Sequence, residues 1–262
     1  MNTPSKNWWT KIRWDGCLFH VYGAPNFTRP PLESTGGIPG ESLPLPQEWF
    51  NEAIPTINQH GPSCCGQAWA NWLEMMLRRY HPEGRGVLKE GEQLDGYAIW
   101  KHGRKMFYDG IETGGLYLPQ GFHALMDLGM LPPGTALFSI STDRNAIFKA
   151  LAATPLVQGT IVGRDMDFPN PENGQIDESI IPSIRVDGAH ATVIMAGLIQ
   201  NEEPFLCAQN SWGSDYGWDG YFTMTMDHWY SVWIGDGPYT ALLPFHWWEW
   251  DGWRKYVTRE AA

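Results

Sequence analysis

Hydrophobic positions follow two different rhythms along this chain, and the change falls past its midpoint. From residue 63 the apolar set Trp69, Trp72, Leu73, Met76, Leu77 and Tyr80 recurs at three- and four-residue steps, the spacing of one helical face. Ser63 is placed to cap that helix by accepting a first-turn N–H, and His81-Pro82 ends it, because proline disfavours a helical residue before it. A second helix is predicted over 121–128 with Gly129 as its C-cap, and a third from a Thr142 or Asp143 cap through Ile147, Phe148 and Leu151. Beyond residue 155 the pattern turns to strands: 156–162, 190–196, 205–209, and the alternating Tyr221-Phe222-Thr223-Met224-Thr225. Helices first and strands later predict an α+β protein, helical over about 60–135 and antiparallel sheet over about 155–226, with a site between the halves.

Residues 1–44 break both rhythms. Pro25, Pro30, Pro31, Gly36, Gly37, Pro39 and Gly40 make this an extended N-terminal arm, leaving 45–262 as the main domain. The arm carries Trp8, Trp9, Trp14, Phe19 and Tyr22, more large apolar groups than an unattached segment holds, so it is expected to lie against the body. A second aromatic concentration, Trp247, Trp248, Trp250 and Trp253, reads as packing or as a docking surface.

Charge and cysteine usage narrow the function. With 18 Lys+Arg against 29 Asp+Glu the net charge is -11, which argues against nucleic-acid or anionic-membrane partners. The 4 cysteines, at 17, 64, 65 and 207, fit neither a disulfide scaffold nor a metal site. No segment has signal-peptide form or approaches the ~20 apolar residues of a membrane span, so the expectation is a cytoplasmic protein with reduced thiols.

Three residues could carry chemistry together. Cys64 opens the first helix, where the partial positive charge of the helix end favours a thiolate. His190 starts a strand after the turn Asp187-Gly188-Ala189, and Asn210 ends another, where its amide could orient an imidazole. Singly, each has a plain structural reading: a small buried thiol, a satisfied core histidine, a turn residue.

Their order and surroundings resemble the papain-like cysteine peptidases. Asn210-Ser211-Trp212-Gly213, followed by Tyr216-Gly217-Trp218 and Gly220-Tyr221, is similar to the family's Asn-Ser-Trp-Gly signature nearly residue for residue. Asn58-Gln59 before Ser63-Cys64, Gly114-Gly115 ahead of a helix, and His190-Ala191 with Gly197 resemble three further family segments. The resemblance spans about 45–226 and implies a two-lobed fold, a helical half and an antiparallel sheet half with the cleft between. It also implies roles: Cys64 as nucleophile, His190 as its base and acid, Asn210 holding the imidazole under Trp212, Gln59 in an oxyanion hole, and Gly114 and Gly115 pairing with substrate backbone. No cofactor or metal is implied. The implied partner is a peptide or protein substrate, and the oligomeric state is left open.

The nucleophile segment admits three alignments. Cys65-Gly66-Gln67-Ala68-Trp69-Ala70 can be laid on the papain motif, which puts Ala68 at the nucleophile and implies an inactive peptide-binding or structural protein. Keeping the family's step from Gln59 selects Cys65. Ser63-Cys64-Cys65-Gly66-Gln67-Ala68-Trp69-Ala70-Asn71-Trp72-Leu73-Glu74 fits bacterial and phage-type relatives without a gap, and this alignment selects Cys64. A Cys-His-Asn amidase or transglutaminase uses the same chemistry on another acyl donor.

Overall fold

A computed structural model describes residues 11–13, 18–20, 47–49, 52, 54–167, 169–179, 188–200, 203–233 and 235–259. In chain order these form β1 (Lys11–Arg13), β2 (Leu18–His20), β3 (Gln47–Glu48), α1 (Cys64–Tyr80), β4 (Glu92–Leu94), α2 (Gly96–Tyr108), α3 (Leu118–Asp127) and β5 (Ala136–Ser139). Then follow α4 (Arg144–Leu151), β6 (Leu156–Val162), β7 (Gly188–Gln200), β8 (Glu203–Gln209), β9 (Tyr221–Thr225), α5 (Met226–Val232), β10 (Tyr239–Leu242) and β11 (Val257–Arg259). Of the arm, only the antiparallel pair β1–β2 is described; Trp8, Trp9, Trp14 and Tyr22, expected to hold it to the body, lie outside the described residues.

The switch from helical to alternating periodicity becomes two lobes. The main sheet runs β5-β10-β6-β7-β8-β9, antiparallel throughout, and β3 adds to β7 through Gln47↔Gly197 and Glu48↔Ala196. One face of the sheet, with Val157, Ala191 and Val193, closes a core with α1, α2 and α3; the other, with Leu156, Ile194, Phe222 and Met224, packs on α4 and α5. Trp49 fastens the entry to the domain: its indole N–H donates to Leu151 O at 2.8 Å, and the Arg79 guanidinium lies 3.3 Å over its ring.

α1 has the predicted length, ending where His81 turns extended before Pro82. Its burial extends beyond the one apolar face that the spacing shows. Every residue from Cys64 to Leu77 is buried, so α1 is a central helix with no solvent face over its first four turns. Its one carboxylate is satisfied locally: Glu74 accepts from Arg78 at 2.8 Å and from Leu94 N at 3.1 Å. Ser63 is a correction, since its buried hydroxyl accepts none of the first-turn N–H groups. The hydroxyl therefore leaves the positive end of α1 undiminished.

α2 is not among the predicted helices. Asp95 caps it by accepting Ala98 N at 2.9 Å, but Gly96 and Gly103 interrupt its apolar pattern. Those glycines allow close packing: a Cβ at Gly103 would lie 2.5 Å from Leu116 Cδ1. α3 starts at Leu118, three residues ahead of the predicted start, because Pro119 suits a helix's first turn and Gln120 Oε1 accepts Tyr117 N at 3.0 Å. Asp143, rather than Thr142, caps α4. The C-terminal tryptophans serve packing: Trp247 and Trp253 are buried in the helical core, and Trp250 donates to Gly129 O at 2.8 Å. Among the described residues no helix is long and apolar enough to cross a membrane.

Candidate active site

Three segments meet at one end of the sheet. β7 delivers His190, the end of β8 delivers Asn210, and the loop before α1 delivers Gln59. His190 Nε2 lies 2.6 Å from Asn210 Oδ1, and both side chains are buried. The same Oδ1 accepts Ser211 N at 2.7 Å, which fixes which end of the amide is oxygen. His190 must therefore carry its proton on Nε2, and Nδ1 is the basic nitrogen. Trp212 stacks on the imidazole with centroids 4.5 Å apart and planes at 29°, shielding the His190–Asn210 bond. Tyr216 meets the indole edge-on at 5.1 Å.

Gln59 is tied to the same turn by backbone and side chain. Its N–H donates to Ser211 O at 2.8 Å, and its Oε1 accepts from Ser211 Oγ at 2.5 Å. Its Nε2 donates to Gly61 O at 2.8 Å. An amide nitrogen has two hydrogens, so that bond still leaves one for a developing oxyanion. Ser211 has no role in the sequence reading beyond belonging to the motif; here it aims Gln59.

Cys64 is the first residue of α1, buried, at the positive end of a helix that packs against β7. Cys65 faces elsewhere. Its thiol donates to Tyr117 O at 3.4 Å, and a Cβ on Gly121 would approach its sulfur to 2.5 Å, so it packs into α3. Burial, then the neighbouring Cys64 and Asp236, push the Cys65 thiol well above its ordinary value. Ala68 lies one turn deeper on α1, within the regular helix. Cys64, Cys65 and Cys207 are all thiols.

Gly114 and Gly115 precede α3 by a few residues. Gly114 is half-buried with φ +85, a left-handed conformation suited to glycine, and Gly115 is buried. Both carbonyls are engaged: Trp100 Nε1 donates to Gly114 O at 3.2 Å and Arg104 Nη1 to Gly115 O at 2.9 Å. Through Tyr117 the segment reaches Cys65, and so the start of α1. Neither Trp100 nor Arg104 stands out in the sequence, because both belong to the helix its pattern hides.

Asp236 is a further buried carboxylate nearby, accepting Leu118 N at 3.2 Å while its own carbonyl accepts Gly159 N at 3.1 Å. It links the loop before β10 to the first turn of α3. Burial pushes its carboxyl up to about 7, against the lowering effect of its bonds to Leu118 and Tyr239. In the unfolded chain the group titrates near 3.9, so between those values the folded state keeps a proton that the unfolded state has lost. That stabilisation is present below the unfolded value and is lost as pH rises through about 7. Asp236→Asn should raise stability by roughly 4 kcal/mol near pH 8 and leave it almost unchanged near pH 4. Urea unfolding at the two pH values checks this; equal effects at both would show that the carboxyl titrates normally.

Known proteins give a consistent picture. A model of papain family cysteine protease matches residues 135–240. Cysteine proteinase 3 of Solanum lycopersicum is 22% identical over 239 residues, covering 84% of this chain and 67% of that protein. Xylellain, a cysteine protease from Xylella fastidiosa, superposes with TM-score 0.61 at 19% identity over 83% of this chain and 92% of its own. Digestive procathepsin L 3 of Tenebrio molitor larval midgut gives 0.60 at 16% identity, over 83% and 74% respectively. The two-lobed α+β fold is thus the papain-like one. Over residues 135–240 the chain is similar to the papain family of cysteine proteases.

Proposed function

We propose that this protein is an endopeptidase that hydrolyses peptide bonds through Cys64, His190 and Asn210. The observation that carries the reading is the buried His190–Asn210 bond under Trp212, which leaves the basic Nδ1 of His190 to take the thiol proton. The Cys64 thiolate attacks the peptide carbonyl carbon. The Gln59 Nε2–H and the backbone N–H of Cys64 receive the charge that develops on the oxygen. As the C–N bond breaks, His190 gives its Nδ1 proton to the leaving amine, and Cys64 holds the acyl group as a thioester. Water, deprotonated by His190, then releases the acid and restores the thiol. The substrate backbone lies along Gly114 and Gly115. The packing of Cys65 against α3 supports Cys64 as the reacting thiol.

Labelling with a peptidyl epoxide or vinyl sulfone, followed by peptide mass mapping, tests the assignment: the adduct is expected on Cys64, and an adduct on Cys65 would overturn it. Asn210→Ala should lower turnover more than it weakens substrate binding, because it loosens the imidazole and not the substrate. Loss of one such orienting bond should cost roughly 1–3 kcal/mol in kcat. Unchanged kcat in steady-state hydrolysis would remove Asn210 from the mechanism.

A further inference from the structure

Trp100 and Arg104 stand one turn apart on α2, and each reaches the loop that ends in Gly114-Gly115. Trp100 takes the carbonyl of Gly114, and Arg104 takes that of the next residue, Gly115. Arg104 Nε also donates to Ile111 O at 2.7 Å, so one guanidinium spans the loop from Ile111 to Gly115. Arg104 is only 3% exposed, and its guanidinium lies 3.9 Å over the Tyr108 ring. The Tyr108 hydroxyl donates to Gln120 Oε1 at 3.1 Å, the same oxygen that accepts Tyr117 N, so the clamp is itself braced against the start of α3.

Burying a guanidinium is costly unless its donors are used in good geometry, and here they are spent on loop carbonyls. The loop has little stiffness of its own: Gly110 and Gly114 both adopt left-handed φ, +80 and +85. What sets the position of Gly114 and Gly115 is the pair of donors on α2.

We infer that Arg104, with Trp100 beside it, is a positioning residue for substrate binding, holding the Gly114–Gly115 edge at the place where an extended peptide pairs with it. This rests on the reading of that edge as the peptide-binding strand. The Arg104 bonds described above run to the loop, at Ile111 O and Gly115 O. Its loss therefore acts on the binding of substrates that reach the edge, and not on bond breaking once they are bound.

The test compares the full-length wild type with Arg104→Met, which keeps the apolar stem and removes the donors, and with Arg104→Lys, which keeps the charge. Two substrates are used: a peptide extending several residues to the N-terminal side of the scissile bond, and a single-residue ester too short to reach the edge. For the peptide, Arg104→Met should raise KM about 10-fold or more with kcat within about twofold, and Arg104→Lys should fall between it and wild type. For the ester the KM penalty should be absent. An unchanged peptide KM in folded Arg104→Met overturns the inference and leaves the peptidase reading standing, as does an equal loss on both substrates. A wild type that hydrolyses neither substrate overturns both. If Arg104→Met does not fold, Trp100→Phe carries the same comparison, with a smaller KM rise expected and an unchanged KM again decisive.

Discussion

Replacing Cys64 with serine is expected to silence the protein, while the same change at Cys65 leaves most of the activity. The two thiols are neighbours in sequence but about 100° apart around the helix, so they cannot both meet one imidazole in the same way. Cys64 sits where the first-turn N–H groups favour a negative sulfur, with no help needed from a Ser63 cap. Cys65 is turned into α3, its proton shared with Tyr117 O and its ionisation opposed by burial. A serine hydroxyl at position 64 is far harder to deprotonate than a thiol, so hydrolysis of a peptide should fall on the order of 10^3-fold or more. Steady-state assay of both variants checks this. Silence in Cys65→Ser with activity in Cys64→Ser would move the nucleophile by one residue. An inert wild type restored by Ala68→Cys would mean that alanine occupies the reactive position.

The second large effect lies away from the chemistry. Gly66→Ala should destabilise the fold by about 3 kcal/mol or more, at the upper end of what overpacking costs. A Cβ there would come 2.1 Å from Gly96 O and 2.8 Å from Trp100 N, both backbone atoms that cannot swing aside. α1 and α2 cross with their main chains nearly touching, and the only escape is to part the helices. Because Trp100 belongs to the clamp on Gly114 and Gly115, and Cys64 starts α1, a surviving variant should also bind peptide poorly. Urea denaturation of Gly66→Ala against wild type measures the first effect; a loss below about 1 kcal/mol would mean that the crossing is looser than its geometry.

Much of this was legible in the residues, for identifiable reasons. α1 announces itself by apolar spacing and a proline stop, and β6, β8 and β9 by runs with turn residues at their ends. The Asn210–Trp212 segment is legible because its run of residue types is distinctive, and the fold gathers that run around His190. α2 stayed hidden because the glycines that let it pack tightly are those that weaken a helical pattern. The all-round burial of α1 was equally obscure: Gln67, Asn71 and Glu74 look like a solvent face, and only tertiary partners such as Leu94 N reveal otherwise. Arg104 could not be found in advance, since its meaning depends on where a loop folds back onto a helix.

The burial of α1 on all sides also sets a timetable. Its walls include β7, whose residues leave the ribosome long after the helix itself, and the domain's entry strand β3 pairs with Gly197 and Ala196. At ~5–20 residues per second, the roughly 145 residues from Tyr80 to Thr225 take about 7–30 s to make. Through that interval Trp69, Trp72, Leu73 and Met76 have a helix to sit on but no sheet to cover them. The half of the molecule synthesised first is thus the half completed last, and it is during its own birth that this protein most needs shelter from its neighbours.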